Sequence, residues 1–212
     1  MKIIQVEGFL DTPGFEKLCL DHQLDPKKVV FLFPGNASHH EEGTTLFSVK
    51  SGGGLAHLAR TNGQKGYPVL SLPTTTMEEW ENNDWQKEIV TGAIADLYRA
   101  LGAGYYFMLP VRDHASTYYF SEGLKSSAGK KEPSFWGGIQ RASNIALADH
   151  YQNELDYFQE FVTLTLDDQL ALTNADRSNP YCAAFLHGHS MTVEDAWLQA
   201  DSVEMDASSY RR

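Results

Sequence analysis

A chain of 212 residues with 42% hydrophobic and 12% aromatic side chains has the composition of a globular protein, long enough for one good core or a core with an appendage. A formal net charge of -11 and a pI near 5.1 give a surface that repels nucleic-acid backbones and anionic lipid, which excludes a general binder of either. No apolar run approaches the roughly 20 residues of a membrane span, and a mean hydropathy of -0.37 fits a soluble protein.

In chain order, a first strand is predicted over Lys2 to Val6, in an N-terminal segment whose short apolar stretch and following acids are not those of a secretion signal. Thr12 is predicted to cap a helix with Pro13 in its first turn and Phe15, Leu18 and Leu20 along it. The run KKVVFLF (Lys27 to Phe33), bounded by Pro34-Gly35, has the continuous apolar character of a strand buried on both faces. Thr44 to Val49 is a weaker strand or turn. GLAHLAR, from Gly54, has helical spacing and is stopped by Gly63 and Gly66. Tyr67 to Leu72 is another apolar strand, ending at Pro73.

Asp84 caps a long helix with Ile89, Ala93, Leu97 and Leu101 on one face, and Gly102 and Gly104 end it. Tyr105 to Val111 is the next strand. A polar loop follows, and a second long helix runs from about Ile139 to Val162 with Ala142, Ala146, Leu155, Phe158 and Phe161 at core spacing. Thr173 to Pro180 reads as a loop, Tyr181 to Leu186 as a last strand, and Thr192 as the cap of a short helix reaching Val203. The terminal DASSYRR is expected to be disordered. Strands alternating with amphipathic helices predict an α/β fold, a three-layer α/β/α domain with a mainly parallel or mixed sheet. Residues 1–166 are assigned to that domain, and 167–212 to an extension packed on it.

Ligands of open α/β sheets bind beyond the carboxyl ends of the strands, where loops lead into helix N-termini. Several such ends carry residues suited to an anion. Asn36 follows one buried strand; Ser51, Gly52, Gly53 and Gly54 open a helix; Arg112, Asp113 and His114 follow another strand; and Trp136, Gly137 and Gly138 precede the second long helix. Glycines let a ligand approach backbone N–H groups, and a helix N-terminus favours negative charge. The same glycines also serve simple tight turns. Asp113 and His114 are placed for proton transfer, with Arg112 as an anion clamp.

In this order, GNAS (Gly35 to Ser38), SGGGLAHLAR (Ser51 to Arg60), and YYFMLPV followed by a loop with Gly137-Gly138 resemble a macrodomain, the ADP-ribose-binding α/β/α module. The likeness covers roughly Val29 to Phe161, with a longer loop between Val111 and Gly137 than that family usually has. The resemblance implies that Asn36 contacts a ribose, that Gly52 to Gly54 and Gly137 to Gly138 hold phosphates, and that an ADP-ribosyl or N-glycosidic bond is a candidate for hydrolysis. It implies an ADP-ribose-like small molecule as ligand, with no resident cofactor and no metal.

Two other constellations compete. His39, His40, Glu41 and Glu42 are adjacent in sequence and point to different sides of any regular element, so they read as a solvated loop and not a metal cluster. His187 and His189, on a segment expected to be extended, would share a face near Cys182, which leaves a metal or cysteine hydrolase as an alternative. A non-catalytic interaction protein, such as a bacterial effector or adaptor that uses its acidic surface and the C-terminal helix containing Trp197, is the third reading. The two cysteines, Cys19 and Cys182, form no CxxC; a reduced, cytoplasmic setting is the simplest expectation, with a pairing between them left open.

Overall fold

The computed structural model describes residues 2–7, 11–36, 55–74, 84–111, 154 and 157–191. Within them, β1 (Ile3–Glu7), β2 (Val29–Asn36), β3 (Val69–Thr74) and β4 (Tyr106–Val111) form one parallel sheet in the order β1-β4-β2-β3. Helices α1 (Thr12–Asp21), α2 (Leu55–Gln64) and α3 (Asp84–Gly102) alternate with the strands. After β4 come a helical stretch at 157–163, α4 (Leu166–Ala175) and α5 (Pro180–His189). A parallel sheet in an α/β chain is what the alternation predicts. Thr44–Val49, most of the helix expected over 139–162, the helix after Thr192 and the terminal tail lie outside the described residues.

The apolar strands are buried because helices cover both faces. Val30 and Leu32 of β2 enter one core cluster with Ile3, Leu70, Phe107, Ile94 and Leu97 of α3, Phe158, and Phe185 of α5. Val29, Phe31 and Phe33, one residue out of phase, enter a second cluster with Val69, Met108, Phe15 and Cys19 of α1, and Ala59 of α2. Chain direction explains this division. β1 to β2 and β2 to β3 step one way across the sheet, and β3 to β4 steps back. Right-handed crossovers therefore put α1 and α2 on one face and α3 on the other. That is how the clusters distribute them.

The strand ends differ from expectation at the prolines. β2 runs on through Pro34 and Gly35 to Asn36, and β3 through Pro73 to Thr74, where Pro34-Gly35 and Pro73 had been expected to stop them. Pairing of β2 with β3 extends from Phe31↔Val69 to Asn36↔Thr74. With β4 it covers only Val29↔Tyr106 to Phe31↔Met108. A proline lacks one amide hydrogen, and whether it ends a strand depends on which neighbour that hydrogen would have faced.

The helix ends also sharpen. Asp11, not Thr12, caps α1 by accepting from the Gly14 amide at 2.8 Å. The Thr12 hydroxyl instead donates to Asn62 Oδ1 at 2.8 Å in a buried contact with α2. Cys19 takes the inward position after Phe15 and leaves Leu20 74% exposed, because four residues complete a turn and five overshoot it. α2 continues through Gly63, and Gly66, at φ 78, makes the turn out of it. Of the loop expected over Thr173–Pro180, only 176–179 connects two helices: Thr173 to Ala175 end α4, and Pro180 with the expected strand Tyr181–Leu186 belongs to α5. Thr165 caps α4 by accepting from the Asp168 amide, and Asn179 caps α5 by accepting from the Tyr181 and Cys182 amides ahead of Pro180. A short apolar run such as YCAAFL does not distinguish strand from helix by period; the Asn-Pro start does.

α5 reaches α3 through two glycines. A Cβ on Gly188 would overlap the Arg99 carbonyl, and one on Gly102 would overlap the carbonyl of Phe185. This approach seats Phe185 against Phe161, ring centroids 5.1 Å apart, and stacks Tyr181 on Tyr98 at 5.4 Å with planes 9° apart. Phe158 meets Tyr98 and Phe107 edge-on at 5.0 and 5.6 Å. Each such aromatic pair contributes about 0.5–1.5 kcal/mol beyond its buried area.

Gly188→Ala is expected to lower the free energy of unfolding by about 3 kcal/mol, through forced separation of α3 from α5. Gly63→Ala, whose new Cβ would meet only Val69 Cγ2 at 3.8 Å, should instead raise it by about 0.5 kcal/mol. Urea unfolding followed by circular dichroism measures both; equal effects from the two substitutions would contradict the packing described.

Candidate functional site

β2 ends at Asn36, in register with Thr74 at the end of β3, and β1 ends at Glu7, in register with Val111 of β4. All four carboxyl ends therefore lie along one edge of the sheet. β2 leads to α2 on one face and its neighbour β3 leads to α3 on the other. Adjacent strands whose chains depart to opposite faces leave a crevice between their ends, where α/β proteins place ligands.

Of the residues expected to form a site, Asn36 is thereby located at the centre of this edge. Gly54 immediately precedes Leu55, the first residue of α2, and Arg112 immediately follows Val111, the last of β4. Ser51, Gly52, Gly53, Gly54, Arg112, Asp113, His114, Trp136, Gly137 and Gly138 lie outside the described residues, as do His39 to Glu42. α2 is a 10-residue helix, long enough for its aligned peptides to favour an anion at its start.

The His187–His189 alternative changes. Both lie on α5, so they are 200° apart around a helix instead of sharing the face of a strand. Cys182 and His187 are about 140° apart on that helix, and Cys182 and His189 about 10 Å apart along it, so neither imidazole is within hydrogen-bonding reach of the thiol. Among the described residues, no group of three or more His, Cys, Asp or Glu side chains is arranged to hold a metal ion. Cys19 and Cys182 are both free thiols. Burial pushes Cys19 up to about 11, aided by the Asp25 and Glu16 charges, and burial followed by Asp176 raises Cys182. Both shifts disfavour the thiolate that nucleophilic catalysis needs.

Other displaced titrations belong to the helix packing. Burial raises Tyr98, and burial with the Glu154 carboxylate raises Tyr181 to about 12. Burial also lifts Asp96 on α3 to about 6 against the lowering pull of its partner Arg99, to which it is hydrogen-bonded. None of these lies at the carboxyl edge. Asn62 carries a buried Nδ2 without a hydrogen-bond partner where α1 meets α2. No protein-family model, curated protein or solved structure matches the chain, and no helix among the described residues is long and apolar enough to cross a membrane.

Two measurements follow from these charges. Asp96 holds its proton more tightly folded, at about 6, than unfolded, at its ordinary 3.8. Its contribution is therefore fully present below about pH 3.8 and lost as pH rises through about 6, by at most about 3 kcal/mol. Asp96→Asn should narrow the difference in unfolding free energy between pH 5 and pH 8 relative to wild type; an unchanged difference would rule out this role. In the native protein, a thiol reagent should leave Cys19 unmodified until urea is added, and immediate labelling of both cysteines would contradict its burial.

Proposed function

We propose that this protein binds an ADP-ribose-like nucleotide at the carboxyl edge of its sheet, in a macrodomain-like, three-layer α/β/α frame. The observation that carries this is the position of Asn36. It ends β2 where β2 and β3 lead to opposite faces, and the chain returns from it through Ser51 to Gly54 into the start of α2. Asn36 would then orient a ribose. The backbone N–H groups around Gly52 to Gly54, with the start of α2, would hold a diphosphate, and Arg112, Gly137 and Gly138 would complete its charge neutralisation, with Trp136 against the base or sugar.

If the bound ligand is turned over, Asp113 or His114 would take a proton from water. The water oxygen would bond to the anomeric carbon, and the leaving group would depart with the electron pair of the glycosidic bond. The metal or cysteine alternative loses support from the helical placement of His187 and His189 and the raised Cys182 thiol. Phosphate binding is compatible with a net charge of -11 because backbone dipoles, not a basic surface, would supply the attraction.

Titration calorimetry with ADP-ribose should give a saturable heat with Kd on the order of micromolar, about -8 kcal/mol. Gly53→Glu, which puts a carboxylate where the diphosphate would lie, should abolish it, and Asn36→Ala should weaken it about tenfold. Absence of both heat and thermal shift with the wild-type protein would rule the nucleotide out.

A further inference from the structure

β1 and β3 are the outer strands of the four-stranded sheet, and their outer edges are guarded differently. Backbone N–H and C=O groups of a strand turn alternately to its two sides. The Phe31 amide donates to the Pro68 carbonyl at 2.9 Å, so Pro68, Leu70, Leu72 and Thr74 turn toward β2, and Val69, Ser71 and Pro73 turn outward. Proline has no amide hydrogen, so Pro73 blunts this edge of β3 against the addition of another strand.

β1 carries no such guard. The Phe107 amide donates to the Lys2 carbonyl at 2.8 Å, so Lys2, Ile4 and Val6 turn toward β4, and Ile3, Gln5 and Glu7 turn outward. None of these outward residues is a proline, and Ile3, Ile4 and Val6 give the strand a β-branched character suited to pairing. No strand pairs with this edge among the described residues. On the face that α1 covers, α1 is tied away from β1: Thr12 bonds to Asn62 of α2, and Glu16 accepts from Lys65 and from Tyr67, just ahead of β3. Ile4 and Val6 are only partly buried there, whereas Val29 and Phe31 of the central β2 are fully buried in the same cluster.

A second copy of β1, running antiparallel, fits this edge. With Gln5 opposite Gln5 on a two-fold axis, Ile3 lies opposite Glu7 and Ile4 opposite Val6, so every residue of the strand is paired. The outward-turned Ile3, Gln5 and Glu7 then exchange backbone N–H···O bonds with Glu7, Gln5 and Ile3 of the other copy. Ile4 and Val6 of one copy meet Val6 and Ile4 of the other on one face of the joined sheet, which completes their cover. Lys2 precedes the strand and Glu7 ends it, so the basic start of each strand comes to the acidic end of the other. The pairing is isologous and closed, because each copy spends its unguarded edge on the other.

We propose that β1 joins two copies of this chain edge to edge, in one continuous sheet with four strands from each copy. The dimer rests on backbone register and burial and is independent of the nucleotide reading above.

Sedimentation of the full chain at about 100 μM should give twice the single-chain mass of 23.7 kDa, falling toward that mass on dilution. A single-chain mass at the higher concentration overturns the dimer. Gln5→Pro removes an outward amide hydrogen and none that serves the ladder with β4, which gives β1 the guard that β3 has. This variant should be monomeric with the wild-type circular dichroism spectrum, and a folded variant that still dimerises overturns the interface.

Hydrogen–deuterium exchange on the wild-type protein decides the matter if Gln5→Pro does not fold. The Ile3, Gln5 and Glu7 amides should exchange about tenfold more slowly in concentrated than in dilute protein, while those of Ile4 and Val6 stay unchanged. Protection of the outward amides that does not vary with concentration would mean that another segment of the same chain lies along β1. That result, or no protection of these amides at high concentration, overturns the proposal.

Discussion

A strand with neighbours on both sides and side chains buried on both faces has nowhere to send a backbone amide except into its ladders, and β2 is in that position. Val29 to Phe33 are all buried, with alternate residues feeding the two core clusters. An unmet buried peptide group costs on the order of 1–3 kcal/mol, so the direction of each N–H along β2 determines where the sheet holds together and where it ends. Pro34 is tolerated because its missing hydrogen would have pointed at β4, not at β3. The order β1-β4-β2-β3 and the division of helices between faces follow from crossover handedness around this strand. So does the location of the carboxyl edge at which Asn36 stands.

The two faces are consolidated differently. On the α1–α2 side the packing is small and includes polar contacts: Phe15 edge-on to Phe31 at 5.9 Å, the Thr12–Asn62 hydrogen bond, and Glu16 accepting from Lys65 and Tyr67 at 2.9 and 2.7 Å. The last two are exposed or partly so and add little stability. On the α3–α5 side a continuous set of rings, Tyr98, Phe107, Phe158, Phe161, Tyr181 and Phe185, is brought together by the glycine contacts. Asp96 and Arg99 border this side as a partly buried pair, and the same burial raises Asp96, Tyr98 and Tyr181.

Much of the fold was legible in the sequence. The unbroken apolar run ending at Phe33 identified a buried strand, that at Tyr105–Val111 a further strand, and the spacing of Ala93, Leu97 and Leu101 identified α3. What misled was punctuation. Pro34 and Pro73 look like terminators when only one strand is in view, because the sense of a proline depends on a register set by other strands. YCAAFL was ambiguous by period, while Asn179-Pro180 carried the helix signal in its capping chemistry. Of the candidate site, the sequence placed Asn36 just past a buried strand and the glycines ahead of α2, but not the continuation of β2 to Asn36 itself. It could not say that β2 stops pairing with β4 at Phe31↔Met108, since that register joins residues 77 positions apart in the chain (108 minus 31).

The glycine contact between α3 and α5 also orders events during synthesis. Among the described residues, the core cluster of the α1–α2 face draws on none later than Met108, so these can pack together while the rest of the chain is still emerging. The opposite face cannot, because Ala184 and Phe185 belong to its cluster and Gly188 seats α5 against Arg99. Until those residues have left the ribosome, Ile94, Leu97 and Tyr98 of α3 lack part of their covering. The two core clusters thus differ in how much of the chain must be made before their described members are all present: through Met108 for one and through Phe185 for the other.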